Sequence, residues 1–341
     1  MRLSGAPLPS QAPWPPTPQL IHEIRLPHPP VELSPNFLAR LDSRELVPGA
    51  RHYNPSICRL GQRIFVAYRV ESFSAVSSIG LSLLDSELTI QGSGTVRLPN
   101  EKGDNHWEDP RLCVAGGRLW LLALMVRLQL PPVCQPRLFA IDPDSLAAVE
   151  EIPLGFGKIG GIEKNWTPFE DLDGKLCLVY SQHPRMVLEV ATRAGHTTAA
   201  VPIDPPGASC SGRASPVAIN WIDGAIGGPR RSMLEFVGGW VRIPGRGGRY
   251  WYGAQLFDGF APYRITHYTK EPLLWGTEAS PTLHSPRPGA GHPCCVFPGG
   301  AILEQGGSGD FSAIVSIGVN DSYCCLMRYT FSELLERMVV A

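Results

Sequence analysis

The chain has 341 residues, with 30 Lys and Arg set against 31 Asp and Glu for a formal net charge of -1. So even a balance offers no long-range field to attract nucleic acid or an anionic membrane surface, and neither is expected as a partner. Hydrophobic residues make up 43% and charged residues 18%, enough apolar material for a core and too little charge for a disordered chain.

In chain order, the first 50 residues hold eleven of the 34 prolines and read as a Pro-rich arm, with one short helix expected over Pro35 to Glu45 (PNFLARLDSRE). Residues 1–18 contain no apolar run of signal-peptide length, so no secretion or membrane signal is expected. Residues 51–341 read as a single all-β domain. The 36 glycines and 34 prolines punctuate short runs rich in Val, Ile, Leu, Phe and Tyr, as strands and turns require. Five segments share one grammar: a Pro, an apolar strand, a Gly turn and a second strand. They are NPSICRLGQRIFVAYR, DPRLCVAGGRLWLLALMV, TPFEDLDGKLCLVYSQHP, GPRRSMLEFVGGWVRIPG and FPGGAILEQGGSGDFSAIVSIG, marked by Pro55, Pro110, Pro168, Pro229 and Pro298. A spacing of roughly sixty residues matches one four-stranded blade, and five units close a ring, so the expected fold is a five-bladed β-propeller. A two-sheet sandwich or jelly roll is the competing architecture. A last helix is expected over 331–338 (FSELLERM), with Ser332 as its N-cap.

Nine cysteines occur without a C-x-x-C pair. They read as reduced, mostly buried thiols, from which a cytoplasmic location, no metal and no cofactor are expected.

In a propeller the innermost strand of each blade starts at the central channel, so polar residues just before each marker converge there. Those residues are Asn54; Glu108, Asp109 and Arg111; Lys164 and Asn165; and Asn320 with Asp321. Carboxylates, amides and cations beside Trp107, Trp166 and Tyr68 suit a pyranose, whose hydroxyls take polar groups and whose C–H faces take aromatic rings. His52, His106 and His292 read as residues of the pocket mouth.

Taken together, EDPRL, FVAYRV after NPS, EKNWTPFE, and VFPGG before SIGVND resemble glycoside hydrolase family 130, over about Asn54 to Asp321. That family holds β-mannoside phosphorylases and some β-mannosidases, and related mannosyltransferases share its five-bladed fold. The resemblance implies an inverting reaction in which Asp109 is the general acid, its proton reaching the glycosidic oxygen through a sugar hydroxyl. It also implies that Asn54, Arg69 and Asp321 hold the sugar. The sequence departs from the phosphorylases in having no His between 196 and 267, and in QHPR at 182–185 only His183 or Arg185 stands near the third-blade cation. Arg230, Arg231, Arg242, Arg246 and Arg249, in and around a Gly-rich loop, with Ser56, are the candidates to hold phosphate or a nucleotide sugar.

The function expected is therefore glycosyl transfer to or from a β-mannoside-like sugar. A hydrolase of the same fold, with Glu163, Glu170 or Glu235 as base, and a propeller that only binds glycan or protein are the rivals. A homo-oligomer is compatible with either.

Overall fold

The computed structural model describes residues 34–41, 50–72, 77–99, 105–127, 133–152, 154, 164–182, 185–191, 196–199, 210–223, 228–243, 247–276, 295–306 and 310–341. These form five antiparallel sheets around one axis, a five-bladed β-propeller. The first blade is β2 (Arg51–Leu60), β3 (Arg63–Glu71), β4 (Ser77–Leu84) and β5 (Ile90–Thr95), and the second is β6 (Asn105–Ala115), β7 (Arg118–Arg127), β8 (Val133–Asp142) and β9 (Ala147–Ile152). The third is β10 (Thr167–Glu170), β11 (Leu176–Gln182), β12 (Arg185–Ala191) and β13 (His196–Ala199).

In the fourth, β14 (Cys210–Arg213) and β15 (Val217–Asp223) both pair with β16 (Gly228–Ile243) and act as one interrupted inner strand. Outside β16 come β17 (Gly247–Asp258), β18 (Ile265–Thr269) and the short β19 (Leu274–Trp275). The fifth runs outward as β20 (Val296–Gln305), β21 (Phe311–Val319) and β22 (Tyr323–Thr330), and its outermost strand is β1 (Phe37–Leu41). The ring is therefore closed by the N-terminal segment.

Strand alternation builds the core. In β3, Ile64, Val66 and Tyr68 face the fifth blade, while Phe65 and Ala67 face the second. The same alternation around the ring yields five apolar clusters, one at each interface between neighbouring blades. Trp107, Trp166 and Tyr68 belong to these clusters, 7%, 1% and 2% exposed. They are packing residues and not the sugar-facing aromatics expected above.

Three further expectations are corrected. The helix expected at 35–45 is, over 37–41, a strand: Phe37, Ala39, Arg40 and Leu41 pair with Met327, Leu326, Cys325 and Cys324. Leu38 and Leu41 pack into the cluster between blades five and one. An open edge on β22 outweighs the helical propensity of FLARL, so the propeller reaches back into what reads as arm. The marker prolines also fall out of step. Asn54, Asp109 and Asn165 share a left-handed φ of 52°, 47° and 66°, which places Trp166, not Pro168, where the first two blades have proline. In the fourth blade the inner strand carries Pro216, whereas Pro229 lies on the second strand, because the irregular break between β14 and β15 hides the repeat. Last, α1 (Phe331–Glu336) is capped by Thr330, whose Oγ1 accepts from the Glu333 N–H at 3.2 Å, and Ser332 instead donates to Asp310. Residues Met338–Val340 leave the helix as β23 and pair with β18 of the fourth blade.

At the waist of the channel the inner strands touch backbone to backbone. Ser56 Oγ donates to the Gly299 carbonyl and accepts from the Leu112 N–H, both at 2.8 Å. Ser316 Oγ donates to the Pro55 carbonyl at 3.0 Å, and the Ser215 N–H reaches the Gly299 carbonyl at 3.4 Å. Beyond the waist lies a cavity of about 210 Å³ lined by Ile57, Arg59, Cys113, Glu170, Pro216 and Ile302, among others. The waist separates this cavity from the ends at which the inner strands begin.

A Cβ on Gly299 would run into the Pro55 carbonyl oxygen, a backbone atom that cannot step aside. Gly299→Ala is expected to destabilise the protein by about 2 kcal/mol or more, read as a lower midpoint in urea unfolding.

Candidate active site

The inner strands enter the ring through the same device in the first two blades. Residues 54 and 55, and again 109 and 110, bulge out of the ladder between Tyr53 and Ser56 and between Glu108 and Arg111. Asn and Asp are the non-glycine residues that best tolerate left-handed backbone. The bulge turns their side chains away from the sheet and toward the axis. Asn320 and Asp321, at φ 53° and 47°, are also left-handed, in the turn between β21 and β22, where the Asn320 Oδ1 accepts from the Cys295 N–H at 3.1 Å.

The side chains converge. Asn54 Nδ2 donates to Asp109 Oδ1 at 2.8 Å, linking blades one and two. Asn54 is 7% exposed and lies against Gly318 of the fifth blade, where a Cβ would meet its Oδ1 at 2.5 Å. That Oδ1 is buried and has no hydrogen-bond partner among the described residues. Arg69 Nη2 pairs with Glu108 Oε1 at 2.6 Å, and its guanidinium lies 5.2 Å from the centre of the Tyr53 ring. Tyr53 donates to Glu71 Oε2 at 2.7 Å, and Arg51 pairs with the same oxygen. Arg51 also reaches the Asp321 carbonyl at 3.5 Å. Lys164 is exposed, acts electrostatically on Glu108, and adjoins the half-buried Asn165.

The electrostatics fit a partly dry site. Burial pushes the Glu108 carboxyl above its ordinary value; Arg69 opposes the shift and Asp109 adds to it. Burial opposes the charge of Arg69, yet Tyr53, Glu108, Asp109 and Glu71 together hold it above its ordinary value. For Glu71 burial works upward, but the Tyr53 hydroxyl, Arg69 and Arg51 overcome it and hold the carboxyl low. Tyr250 of β17, raised to about 12, is shifted first by burial and then by Cys295, Asp321 and Asp109. Asp109 and Asp321, from blades two and five, thus act on one phenol of blade four.

Several candidate residues lie elsewhere. Arg111 is 1% exposed, donates to the Pro110 carbonyl at 2.8 Å and stacks 4.8 Å from the Phe297 ring, so it braces the inner strands beneath the site and does not reach a sugar. Ser56 is fully buried, and its hydroxyl is used by the waist, which removes it as an anion ligand. Arg185 is buried between blades three and four, pairing with Glu235 Oε2 at 3.2 Å and bonding Gln182 at 2.6 Å. Glu235 is itself fully buried and also held by Gln182 and Gln255. Glu170 accepts from the Gly116 N–H at 2.7 Å and lines the cavity beyond the waist. Neither Glu170 nor Glu235 stands at Asp109. Arg230 pairs with Asp258, and His52 is buried with its ring 5.4 Å from Tyr68. Arg242 and Arg249 stand on β16 and β17 in register with Gly248 and Val241. Glu163, His183, Arg246 and His292 lie outside the described residues.

Sequence reading missed Arg51, Tyr53, Glu71 and Tyr250. The first three had a signal, since Arg51 and Tyr53, and likewise Arg69 and Glu71, alternate on paired strands. Among the described residues no group of three His, Cys, Asp or Glu stands at metal-binding separation.

No protein-family model matches the chain, and no curated protein matches it. Solved structures do match. A glycosyl hydrolase from Bacteroides ovatus superposes with a TM-score of 0.56 at 16% identity, covering 83% of this chain and 85% of that one. The β-1,2-mannobiose phosphorylase of Listeria innocua, solved with β-1,2-mannobiose, gives 0.55 at 13% identity over 84% and 91%. A mannose phosphorylase from Leishmania mexicana, solved with a phosphate ion, gives 0.50 at 15% over 86% and 88%. At these identities the likeness establishes the fold.

The lowered Glu71 carboxyl gives stability that is present above the ordinary carboxylate range and is lost as pH falls through the lowered value. Glu71→Gln should therefore be less stable than the parent at pH 7, by about 1–2 kcal/mol. The gap should close below pH 4, as read from denaturant midpoints across pH.

Proposed function

We propose that this protein is an inverting glycosyl-transferring enzyme acting on β-mannosides or similar sugars, with Asp109 as its proton donor. The observation that carries the reading is the 2.8 Å bond from Asn54 to Asp109. Two strand entries from neighbouring blades present an amide and a carboxyl together, inside a ring of charge supplied by Arg69, Glu108, Lys164 and Asp321. Such a set suits a pyranose: the Asp109 carboxyl that Asn54 fixes and the neighbouring charged groups take hydroxyls. The neighbours solved as mannobiose and mannose phosphorylases support the choice of sugar.

In the proposed reaction Asp109 gives up its proton, through a sugar hydroxyl, to the glycosidic oxygen as the bond from that oxygen to the anomeric carbon breaks. An acceptor oxygen attacks the anomeric carbon from the opposite face, inverts it, and loses its own proton. Asn54 fixes the Asp109 carboxyl, and Arg69 with Asp321 holds the sugar. Phosphate, or the phosphate of a nucleotide sugar, is the charged reactant we propose, and no cofactor takes part. Transfer is preferred to hydrolysis because Glu170 and Glu235 are engaged away from Asp109, leaving those two candidate bases without access to a water at the reacting carbon.

The test is turnover of mannose 1-phosphate with mannose, of β-1,2-mannobiose with phosphate, and of GDP-mannose, each followed by product analysis. Asp109→Asn should keep the fold and the affinity for sugar while lowering turnover at least about 10²-fold. Full turnover in that variant would remove Asp109 from the reaction. Release of free mannose without phosphate would make the protein a hydrolase. Sugar binding with no turnover of any substrate would make it a binding propeller.

A further inference from the structure

We propose that the hairpin of the fourth blade carries a second sugar subsite, with Trp240 as the aromatic platform for the ring next to the one that reacts. The inference rests on the reading of Asp109 above and adds to it the part of the molecule that selects an oligosaccharide.

The second strand of the other blades has 9, 10, 7 and 9 residues, whereas β16 has 16. It runs from the cavity side of the ring toward the side where the inner strands begin, and β17 returns along it in unbroken register from Ile243↔Gly247 to Ser232↔Asp258. The last four residues of β16, from Trp240 to Ile243, run past Gly239, the partner of the first residue of the inner strand, and so overhang the side of the ring that carries the candidate site. The height of this overhang is set by Gly238, where a Cβ would meet Pro298 Cδ at 3.0 Å, beside the bulge of β20. Trp240 is two residues further along the same strand, so it projects from the same face about 7 Å higher. Its register partner is Tyr250, and residues directly opposite in an antiparallel pair share a face. Tyr250 is the phenol on which both Asp109 and Asp321 act. The face bearing Trp240 is thus the face turned to the site.

Trp240 is 45% exposed, one of four large apolar residues left so open among the described residues. The other aromatic rings suggested for sugar contact are spent on the core. An indole standing above a group of sugar-binding polar residues offers the flat apolar surface that the C–H face of a pyranose covers, and Tyr250 beside it supplies a hydroxyl. The ligand chemistry fixed by this pairing is a neutral sugar ring, bonded to the ring held by Asn54 and Asp109.

Calorimetric titration with mannose and with β-1,2-mannobiose tests the platform in the parent, Trp240→Ala and Trp240→Phe. The parent should bind the disaccharide more tightly. Trp240→Ala should weaken the disaccharide about eightfold, the equivalent of roughly 50 Å² of apolar surface no longer covered, with mannose unchanged. Trp240→Phe should recover most of the loss. Equal effects on both sugars, or none on either, would overturn the platform and leave the Asp109 site standing. A changed oligomeric state in Trp240→Ala with both affinities intact would make Trp240 a subunit contact and also overturn it. Failure of the parent to bind either sugar would overturn the platform together with the reading it rests on.

Discussion

Between Pro55–Ile57 of the first blade and Gly299–Gly300 of the fifth there is no room for a side chain. The two inner strands approach until carbonyls and Cα atoms touch, and only glycine permits it. Ser56 then satisfies Gly299 on one side and Leu112 on the other with a single hydroxyl. A buried peptide group left unpaired at this point would cost more than a typical hydrogen bond contributes. The waist therefore holds three blades at one fixed separation, and the site on one side of it inherits that geometry.

Because the waist is rigid, the strand entries above it can afford unusual backbone. Asn54, Asp109 and Asn165 sit in a region of conformational space that costs most residues about 1–2 kcal/mol. Each is followed by a well-packed strand that over-determines its position. Strain of this kind persists where surrounding structure holds it, and its product here is a set of polar groups aimed at the axis. The ion pairs of Arg69 with Glu108 and of Arg51 with Glu71 border these groups in a partly dry space. Between the third and fourth blades the Arg185–Glu235 pair is fully enclosed and hydrogen-bonded by Gln182 and Gln255. A buried charge is tolerated when it is satisfied in this way, and removing one partner alone would leave the other uncompensated.

The two halves of the ring differ in what they bring to chemistry. Blades one and two supply the amide, carboxyl and guanidinium cluster at close range. Blade four supplies reach, through a hairpin longer than any other in the ring, and with it an exposed indole. Blade five is mostly a surface: Gly318, Pro298 and the turn at Asn320 and Asp321 bound the site and fix the height of the hairpin above it.

The sequence by itself determined the all-β class and the five-fold repetition, because alternation and turn chemistry are local properties written every few residues. It did not determine that Phe37–Leu41 is a strand, since that segment is shaped by an open edge nearly three hundred residues away. Nor could it separate Arg111 from Arg69, or Trp107 from Trp240. Each pair is chemically alike, and only the packing of one blade on the next decides which member is sealed and which is left open. The break in the fourth inner strand hid that blade's true entry for the same reason: β14 and β15 act as one strand only because both pair with β16.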